Sequence, residues 1–512
     1  MDTEAKPGVL EVTAPPKYTA IDRAQDRFAT LRVDNLIGPE HPARLIWDIV
    51  GRLDLSDFEK GIVSREGGSG RSCWMPGLLI SLWIYGYTRG VGSARQLERM
   101  MDFEPGMRWL CGMETVNHHT LSDFRMQKPE QLQQLLTKVL ALLADEDQVD
   151  FAVLLQDGTK IKAQASRQSF RRRATLEQHL LEAQTCVEEL DRRAAAADVM
   201  ETKGGKRTKK EAALERVARE RLTRMNASMA ELERRQRAVA PSKRDDIRIS
   251  ESECEARKMK QNNGGFDPSY NVQFVTEGKN GFVVGVTVSA DPGDQQQLVE
   301  AVAVAQTATG QVPQTVIADG GYASRSNVEQ LAAQQIELVA PWKKDESREA
   351  GALASNGIAA EYAASKFVVV EEGQSVRCPA GEILIQIGTV VHHGLTVQRY
   401  EGTREVCGAC AHKAQCCPSR EARRVERVVE SEAMKQYQQR MGQPETQQLY
   451  KKRSRIAEYV HMKIKSVWRL DRFGVRGLVK AGKEALWMAI AFNVQLMLTL
   501  RRQQAEAGRI EG

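Results

Sequence analysis

Two apolar runs of this 512-residue chain each end in an aspartate that is followed by glycine. The run in VIADGGYASRSN ends at Asp319, and the run in FAVLLQDGTKIKA ends at Asp157. Each pattern predicts a buried strand that ends in a carboxylate and then turns sharply. Because a buried carboxylate is costly unless its charge is used, the pair predicts two acids that converge on a metal ion. The alternative for either run alone is an ordinary strand-to-turn Asp-Gly pair.

A third acid lies in a segment that is expected to be helical, since YKKRSRIAEYVHMKIKSVWRL (450–470) contains neither Pro nor Gly. Its residues Tyr450, Arg453, Glu458 and Lys465 form the pattern Y-x2-R-x4-E-x6-K. Glu458 and Lys465 are predicted to share one helix face, whereas Arg453 falls on a different side. Taken without the two aspartates, the segment would be typical of a solvated basic helix.

In their order along the chain, DGTKIKA, ADGGYASRSN and the helix of Glu458 resemble the DDE transposases of bacterial insertion sequences. Four further segments, HPARLIWDIV, LDLSDF, YGYTRGVGSARQLER and HHTLSDFR, are similar to the helical leader domain of those enzymes, so that the resemblance covers residues 27–495. The resemblance implies that Asp157, Asp319 and Glu458 form the metal-binding triad. Some members of the family have three residues between the Arg and the Glu of the helix, where this chain has four.

The same resemblance implies a reaction and its partners. The enzyme would cut double-stranded DNA at the terminal inverted repeats of an element and join the 3′-OH to target DNA. Two Mg²⁺ or Mn²⁺ ions would serve this phosphoryl transfer, with Asp157 as the bridging ligand. Tyr450, Arg453, Lys463 and Lys465 would contact DNA phosphates. A homodimer on DNA is the expected assembly.

Alternatives for the third acid and for the function stay open at this point. Glu484, in KAGKEALWMAIAFN, is a rival third acid, although its neighbours are apolar and no Lys follows seven residues later. A metal-dependent nuclease without strand transfer would use the same three acids. If the protein were a non-catalytic, transposase-derived DNA-binding regulator, we would expect at least one of the three acids to be lost. All three are present, which argues against this alternative.

The order of predicted elements favours an α/β protein. Helical patterns fill the N-terminal region, and the strand FAVLLQD is followed, after a long excursion, by a hairpin around GKNG and by alternating helices and strands up to IELVAP. This is the order of a ribonuclease H-like fold, in which the first and fourth strands lie side by side. The predicted divisions are a flexible tail (1–26), a helical DNA-binding domain (27–145), a catalytic domain (146–495) with insertions at 161–268 and 342–449, and a basic tail (496–512).

The first insertion, 161–268, is predicted to form two antiparallel helices. It holds 25 Lys and Arg against 18 Asp and Glu, while residues 450–512 hold 14 against 5. The net charge of the whole chain is only +6, so the positive charge is concentrated in these two regions, as expected of a protein that binds a polyanion. A DNA-gripping arm, a dimerising coiled coil and an inert spacer are the alternative roles of the insertion.

The second insertion, 342–449, holds most of the cysteines. Cys378 lies in RCPAGE, and Cys407, Cys410, Cys416 and Cys417 lie in CGACAHKAQCCPS. This spacing predicts a structural zinc site made by Cys378, Cys407, Cys410 and Cys416. Cys417 is an alternative to Cys416, and His412 is a further substitute.

The sequence also predicts where the protein works. The chain shows no N-terminal signal segment, and its longest apolar stretch, at 74–87, is too short for a bilayer and contains Pro and Gly. We expect a soluble, cytoplasmic bacterial protein without a membrane partner, associated with the nucleoid when it is bound to DNA.

Overall fold

A computed structural model of the chain describes residues 24, 30–60, 62, 72–126, 129–200, 209–261, 263–342, 353, 355–370, 373–392 and 395–510. Apart from residue 24, the tail predicted at 1–26 therefore lies outside the described residues. In the part of the chain that is described, no helix is long and apolar enough to cross a membrane.

The N-terminal region is helical, as predicted. Its helices are α1 (Pro42–Gly51), α2 (Ser56–Glu59), α3 (Pro76–Thr88), α4 (Ala94–Met100), α5 (Pro105–Leu110), α6 (His118–Arg125) and α7 (Pro129–Asp145). The helix α3 is buried on almost every side, which identifies it as the centre of this bundle.

A six-stranded mixed sheet follows the helices. Its strands are β1 (Val153–Lys162), β4 (Arg257–Lys260), β5 (Phe266–Glu277), β6 (Val283–Ser289), β7 (Thr315–Ala318) and β8 (Glu337–Val339). They pair in the order β4-β5-β1-β7-β8. The strand β6 also pairs with β5, on the same edge as β4 but farther along β5. The strand β1 is antiparallel to β5 and parallel to β7, and β7 is parallel to β8. The sheet thus places the predicted first and fourth strands side by side.

Most of the elements predicted in this region are present. The hairpin around GKNG is formed by β5 and β6, and the two predicted crossover helices are α10 (Leu298–Thr309) and α11 (Arg325–Ala332). The prediction that β1 ends at Asp157 was wrong. The strand continues to Lys162 because residues Gly158–Lys162 keep pairing with β5, up to Lys162 opposite Ser269.

Two long helices occupy most of the first predicted insertion, α8 (Arg173–Met200) and α9 (Lys209–Arg237). Asp191 pairs with Arg219, and Glu182 pairs with Arg221, so the helices run antiparallel as predicted. Their base is tied by the short strands β2 (Phe170–Arg171) and β3 (Ile249–Ser250). A small separate core of Leu176, Leu232 and Ile249 lies beside that tie.

The five cysteines of the second predicted insertion lie beside a second, five-stranded antiparallel sheet. Its strands are β9 (Val368–Val370), β10 (Ser375–Arg377), β11 (Ile383–His392), β12 (Leu395–Glu401) and β13 (Arg424–Val428). The short helices α12 (Arg404–Ala409) and α13 (Lys413–Cys416) connect its last two strands. This sheet has its own core of Phe367, Val376, Leu384, Tyr400 and Val425.

The C-terminal part of the chain is helical, with α14 (Glu432–Met441), α15 (Pro444–His461), a π-helical turn (Met462–Val467) and α16 (Leu478–Ile510). The helix α16 packs against α3, α7 and β6, so one continuous core joins the N-terminal helices to the six-stranded sheet. Trp83 and Trp487 are fully buried in this core. The buried amide of Asn493 both accepts from the backbone of Val283 (2.8 Å) and donates to it (2.7 Å), which fixes α16 on β6.

Gly90 and Gly112 offer a test of the close packing between the N-terminal helices and the π-helical turn. Both glycines have positive φ, +76° and +60°, but a Cβ on Gly90 would overlap the carbonyl oxygen of Trp468, whereas one on Gly112 would meet nothing within 4 Å. We expect Gly90→Ala to lower the free energy of unfolding by about 2–5 kcal/mol, from overlap and backbone strain together. Gly112→Ala should cost only about 1–2 kcal/mol, from backbone strain. Equal losses in thermal or denaturant unfolding would contradict this packing.

Candidate active site

Asp157 and Asp319 lie on neighbouring parallel strands. The last residue pair in register between β1 and β7 is Gln156 with Ala318, so each aspartate is the next residue on its strand path. Asp319 follows the end of β7, as predicted, and its Oδ1 accepts a hydrogen bond from the backbone of Gly321. The sheet therefore brings the two predicted strand acids together at the point where β7 ends.

A polar lock holds the turn after Asp319 against β1. The buried hydroxyl of Tyr322 donates to Oε1 of Gln273 on β5, and Nε2 of Gln156 donates to the same oxygen at 3.2 Å. A Cβ on Gly158 would lie 2.5 Å from Nε2 of Gln273 and 2.8 Å from the Tyr322 hydroxyl. Gly158, which follows Asp157, therefore packs directly against Tyr322 of the DGGY segment.

The helix α15 presents Arg453 and His461 to Asp157. Nη1 of Arg453 lies 3.1 Å from Oδ2 of Asp157, and Nδ1 of His461 lies 3.8 Å from the same oxygen. With the buried Ala457, these residues recur every four positions, so they form one face of the helix. The His461 ring also packs near the ring of Phe274, at 5.8 Å between centroids.

Burial sets the electrostatics of this contact. It raises the pKa of Asp157, and the nearby Asp319 adds to that shift, while Arg453 and the backbone amide of Gly158 oppose it. Burial also lowers the pKa of His461 to about 4, so the imidazole is neutral near pH 7. Arg453 is therefore the cation that balances the buried carboxylate.

The predicted third acid, Glu458, is exposed on α15, away from the face that touches Asp157. Lys465 was expected to share the face of Glu458, but the π-helical turn shifts the phase of the helix after His461. Nζ of Lys465 instead donates to Thr159 (3.0 Å) and to the carbonyl of Lys160 (3.1 Å) on β1. Of the other predicted phosphate contacts, Tyr450 and Lys463 are half-buried.

The rival acid, Glu484, has a different set of partners. It is buried on α16, where Oε1 lies 3.5 Å from Nη1 of Arg125 and Oε2 accepts from the backbone of Gly474 at 2.8 Å. Burial raises its pKa to about 7. These contacts join α16 to the N-terminal helix α6 and do not include Asp157.

Sequence reasoning missed His461 and Asp294. Oδ1 of Asp294 accepts from Lys160 (2.8 Å), Asn271 (2.7 Å) and Gln273 (3.2 Å), which extends the polar lock around Tyr322. The signal for Asp294 was present, since it follows the strand β6 within SADPGD. His461 gave no signal beyond its position three residues after Glu458.

The carboxylates fit a magnesium site in part. Within the described residues, no three His, Cys, Asp or Glu side chains are grouped so as to hold a metal ion. Mg²⁺ is, however, commonly held by one or two carboxylates together with water and substrate phosphates. Asp157 and Asp319 supply two, and the guanidinium of Arg453 already occupies a cation position at one of them.

Five cysteines of the second predicted insertion line one small cavity, although among the described residues no three of them are grouped closely enough to hold a metal ion as they stand. Cys378, Cys407, Cys410 and Cys416, the four predicted zinc ligands, line a space of about 30 Å³, together with Cys417 and His412. Backbone amides point at two of the sulfurs, Glu382 N at Cys378 Sγ (3.3 Å) and Arg423 N at Cys407 Sγ (3.5 Å). Burial raises the pKa of the Cys416 thiol to about 12, so it would ionise only beside a cation.

Two family models match the sequence. Residues 31–127 match a family described as "Transposase domain (DUF772)", and residues 377–498 match one described as "Transposase DDE domain". No curated protein and no solved structure matches the chain. The matched regions contain helices α1 to α6 and the helix of Glu458, and Asp157 and Asp319 lie between them.

The chain is thus similar to transposases in two separate regions. The two matches support a DDE-type transposase of an insertion sequence, as the sequence motifs predicted.

The close packing of Gly158 against the polar lock around Tyr322 can be tested by a double-mutant cycle. We expect Gly158→Ala to destabilise the protein by about 1–3 kcal/mol through overpacking. Tyr322→Phe removes one of the two groups that the new methyl group would overlap, the other being Nε2 of Gln273, so the double variant should lose at least about 0.5 kcal/mol less than the sum of the single losses. Gly482→Ala, on α16 with no atom within 4 Å, is the control and should not destabilise. Additive losses at the two site positions would exclude the lock.

Proposed function

We propose that this transposase cuts DNA at the ends of an insertion sequence and joins the 3′-OH to target DNA. The observation that carries the proposal is the pair Asp157 and Asp319, placed next to each other on parallel strands with a cation at Asp157. The sheet order supports a ribonuclease H-like catalytic core. The proposal rests on the two aspartates for chemistry and on the family for the choice of DNA as substrate.

Asp157, Asp319 and Glu458 would hold two divalent metal ions. When bound, Mg²⁺ or Mn²⁺ would activate the attacking oxygen and stabilise the leaving oxygen. The chain itself fixes the spacing of the two strand acids through the Tyr322–Gln273 lock. Glu458 is exposed on a face of α15 that points away from Asp157, so that part of the helix would have to shift for Glu458 to join the two aspartates.

The basic residues of α15 and the π-helical turn would bind DNA phosphates. Lys451, Lys452 and Arg455 are exposed on α15, beside the half-buried Arg453. Lys465 would have to release Thr159 to reach a phosphate. We therefore expect Lys463 to contribute more to DNA binding than Lys465 does.

Conservative changes of the three acids test the catalytic proposal. Asp157→Asn, Asp319→Asn and Glu458→Gln each remove a ligand charge and keep the shape, so both cleavage and joining should fall at least about a hundredfold, while binding to element ends persists. Glu445→Gln, in the first turn of the same helix, is the matched control and should retain activity. Glu458→Gln with the activity of the control would remove Glu458 from the site.

The same assay separates the alternatives for function. Labelled element ends incubated with Mg²⁺ and a target plasmid should be cut and then joined. Cutting without joining would identify a nuclease, and binding without cutting would identify a regulator. Either result would contradict the proposal.

Salt dependence tests the DNA-binding residues. Each side chain on a phosphate contributes roughly one unit to the slope of log affinity against log salt, so Lys463→Ala should flatten the slope by about one. Lys465→Ala should lower stability more than it changes the slope, because burial lowers the pKa of Lys465 and its Nζ is bonded to β1. Lys435→Ala, exposed on α14, serves as the control. A slope that Lys463→Ala leaves unchanged would show that this lysine is only solvated surface.

We also propose that the cysteine-lined cavity holds one structural zinc ion. Two observations support it: the four cysteines line one cavity, and two backbone amides point at sulfur, since hydrogen bonds to a thiolate favour the charged form. Elemental analysis should find about one zinc per chain, and Cys407→Ser with Cys410→Ser should release it and unfold the second sheet. Cys186→Ser, exposed on α8, should keep the zinc. A well-folded wild-type protein without zinc would contradict the proposal.

A further inference from the structure

The contact between Arg453 and Asp157 places a positive charge at the carboxylate that the proposed reaction needs for its metal. The side chains are 15% and 19% exposed, so solvent screens the pair only weakly. Nη1 of Arg453 lies within ion-pair distance of Asp157 but lacks the alignment of a hydrogen bond. The contact is an ion pair in a poorly solvated place, so a divalent cation would compete with the guanidinium of Arg453 for Asp157.

We propose that Arg453 is a positioning residue that neutralises Asp157 in the free protein and moves to a DNA phosphate when DNA binds, so that Asp157 becomes available to a metal ion. This inference rests on the proposed function and adds to it an order of events. It makes DNA binding and metal binding at the same site mutually favourable.

The physical reason is competition between two cations for one carboxylate. A guanidinium 3.1 Å from Oδ2 stands where a divalent ion would bind, and the two like charges repel strongly in a poorly solvated site. A guanidinium displaced from its carboxylate needs another anion, because an unpaired charge in a half-buried position is costly. A DNA phosphate suits it, since its oxygens accept two parallel hydrogen bonds from an arginine.

The surroundings of Arg453 support this exchange. Its neighbours Lys451, Lys452 and Arg455 are exposed on the same helix and would draw a phosphate backbone to α15. The arginine side chain has several rotatable bonds, so it can change partner while α15 stays packed on β1. The contact of α15 with the sheet is kept by the buried Ala457, which packs against Leu155 and Ile317.

Metal affinity without DNA is the first measurement. Calcium ions are titrated by calorimetry into the full-length wild type and into Arg453→Met, which removes the charge and keeps the length of the side chain. We expect the variant to bind Ca²⁺ about tenfold more tightly than the wild type, within the range usual for coupled sites. Lys435→Met, exposed on α14, should match the wild type. If Arg453→Met fails to fold, Arg453→Gln is measured in its place.

The reciprocal measurement uses DNA affinity, because coupling between two ligands is symmetric. Fluorescence anisotropy of a labelled element end should show that Ca²⁺ tightens DNA binding about tenfold for the wild type and for Lys435→Met, and by a clearly smaller factor for Arg453→Met. Calcium binding to Arg453→Met that is equal to or weaker than wild type would overturn the inference.

Asp157→Asn distinguishes a failure of this inference from a failure of the proposed function. If Asp157→Asn abolishes the binding of Ca²⁺ and Arg453→Met does not tighten it, then Asp157 is a metal ligand and only the competition is wrong. If Asp157→Asn leaves the binding of Ca²⁺ unchanged, then the metal site itself has been misplaced and both proposals fall.

Discussion

Asp157 carries a carboxylate inside a sheet, and the arrangement around it is governed by the cost of that charge. Its backbone is paired with β5, while the pairing of β1 with β7 ends one residue earlier, and its side chain is only 19% exposed. Burial favours the protonated acid, while Arg453 and the amide of Gly158 favour the ion. Removal of one partner from such a pair leaves an uncompensated charge, which costs more than the pair contributes. The packing of α15 on β1 is therefore a requirement of the folded state before any metal or DNA is considered.

The distance between the two strand acids is set by buried side chains rather than by loops. Tyr322 reaches across from the turn after Asp319 to Gln273, and Gly158 leaves the space that its hydroxyl needs. Asp294 extends the same network to Lys160. A site held in this way resists small displacements, because the buried groups of Tyr322, Gln273 and Gln156 would lose hydrogen-bond partners. Such rigidity suits a reaction whose rate depends on the placement of charge around phosphorus.

The elements were largely predictable from the sequence, since their periodicity and glycines are local signals. The hairpin, the two crossover helices and the acid after β7 all followed from such signals. The extent of β1 did not, because its last residues are kept in strand form by pairing with β5, more than a hundred residues away. The face of α15 that meets Asp157 was also hidden. A helical pattern states which residues share a side, but packing on the sheet decides which side is inward, and the π-helical turn then moves Lys465 to β1.

The distribution of hydrophobic cores bears on which parts of this protein could be exchanged between related genes. The helical hairpin and the cysteine-bearing sheet each have a small core of their own, so recombination between related genes could replace either one and leave a folded remainder. The N-terminal helices differ, because α16 joins them and the six-stranded sheet in a single core around Trp83 and Trp487. A chimaera that took those helices from one ancestor and the sheet from another would have to match the buried shapes of both. We expect the N-terminal helices and the six-stranded sheet to have been inherited together. Variation between lineages should be concentrated in the pair of helices α8 and α9 and in the second sheet.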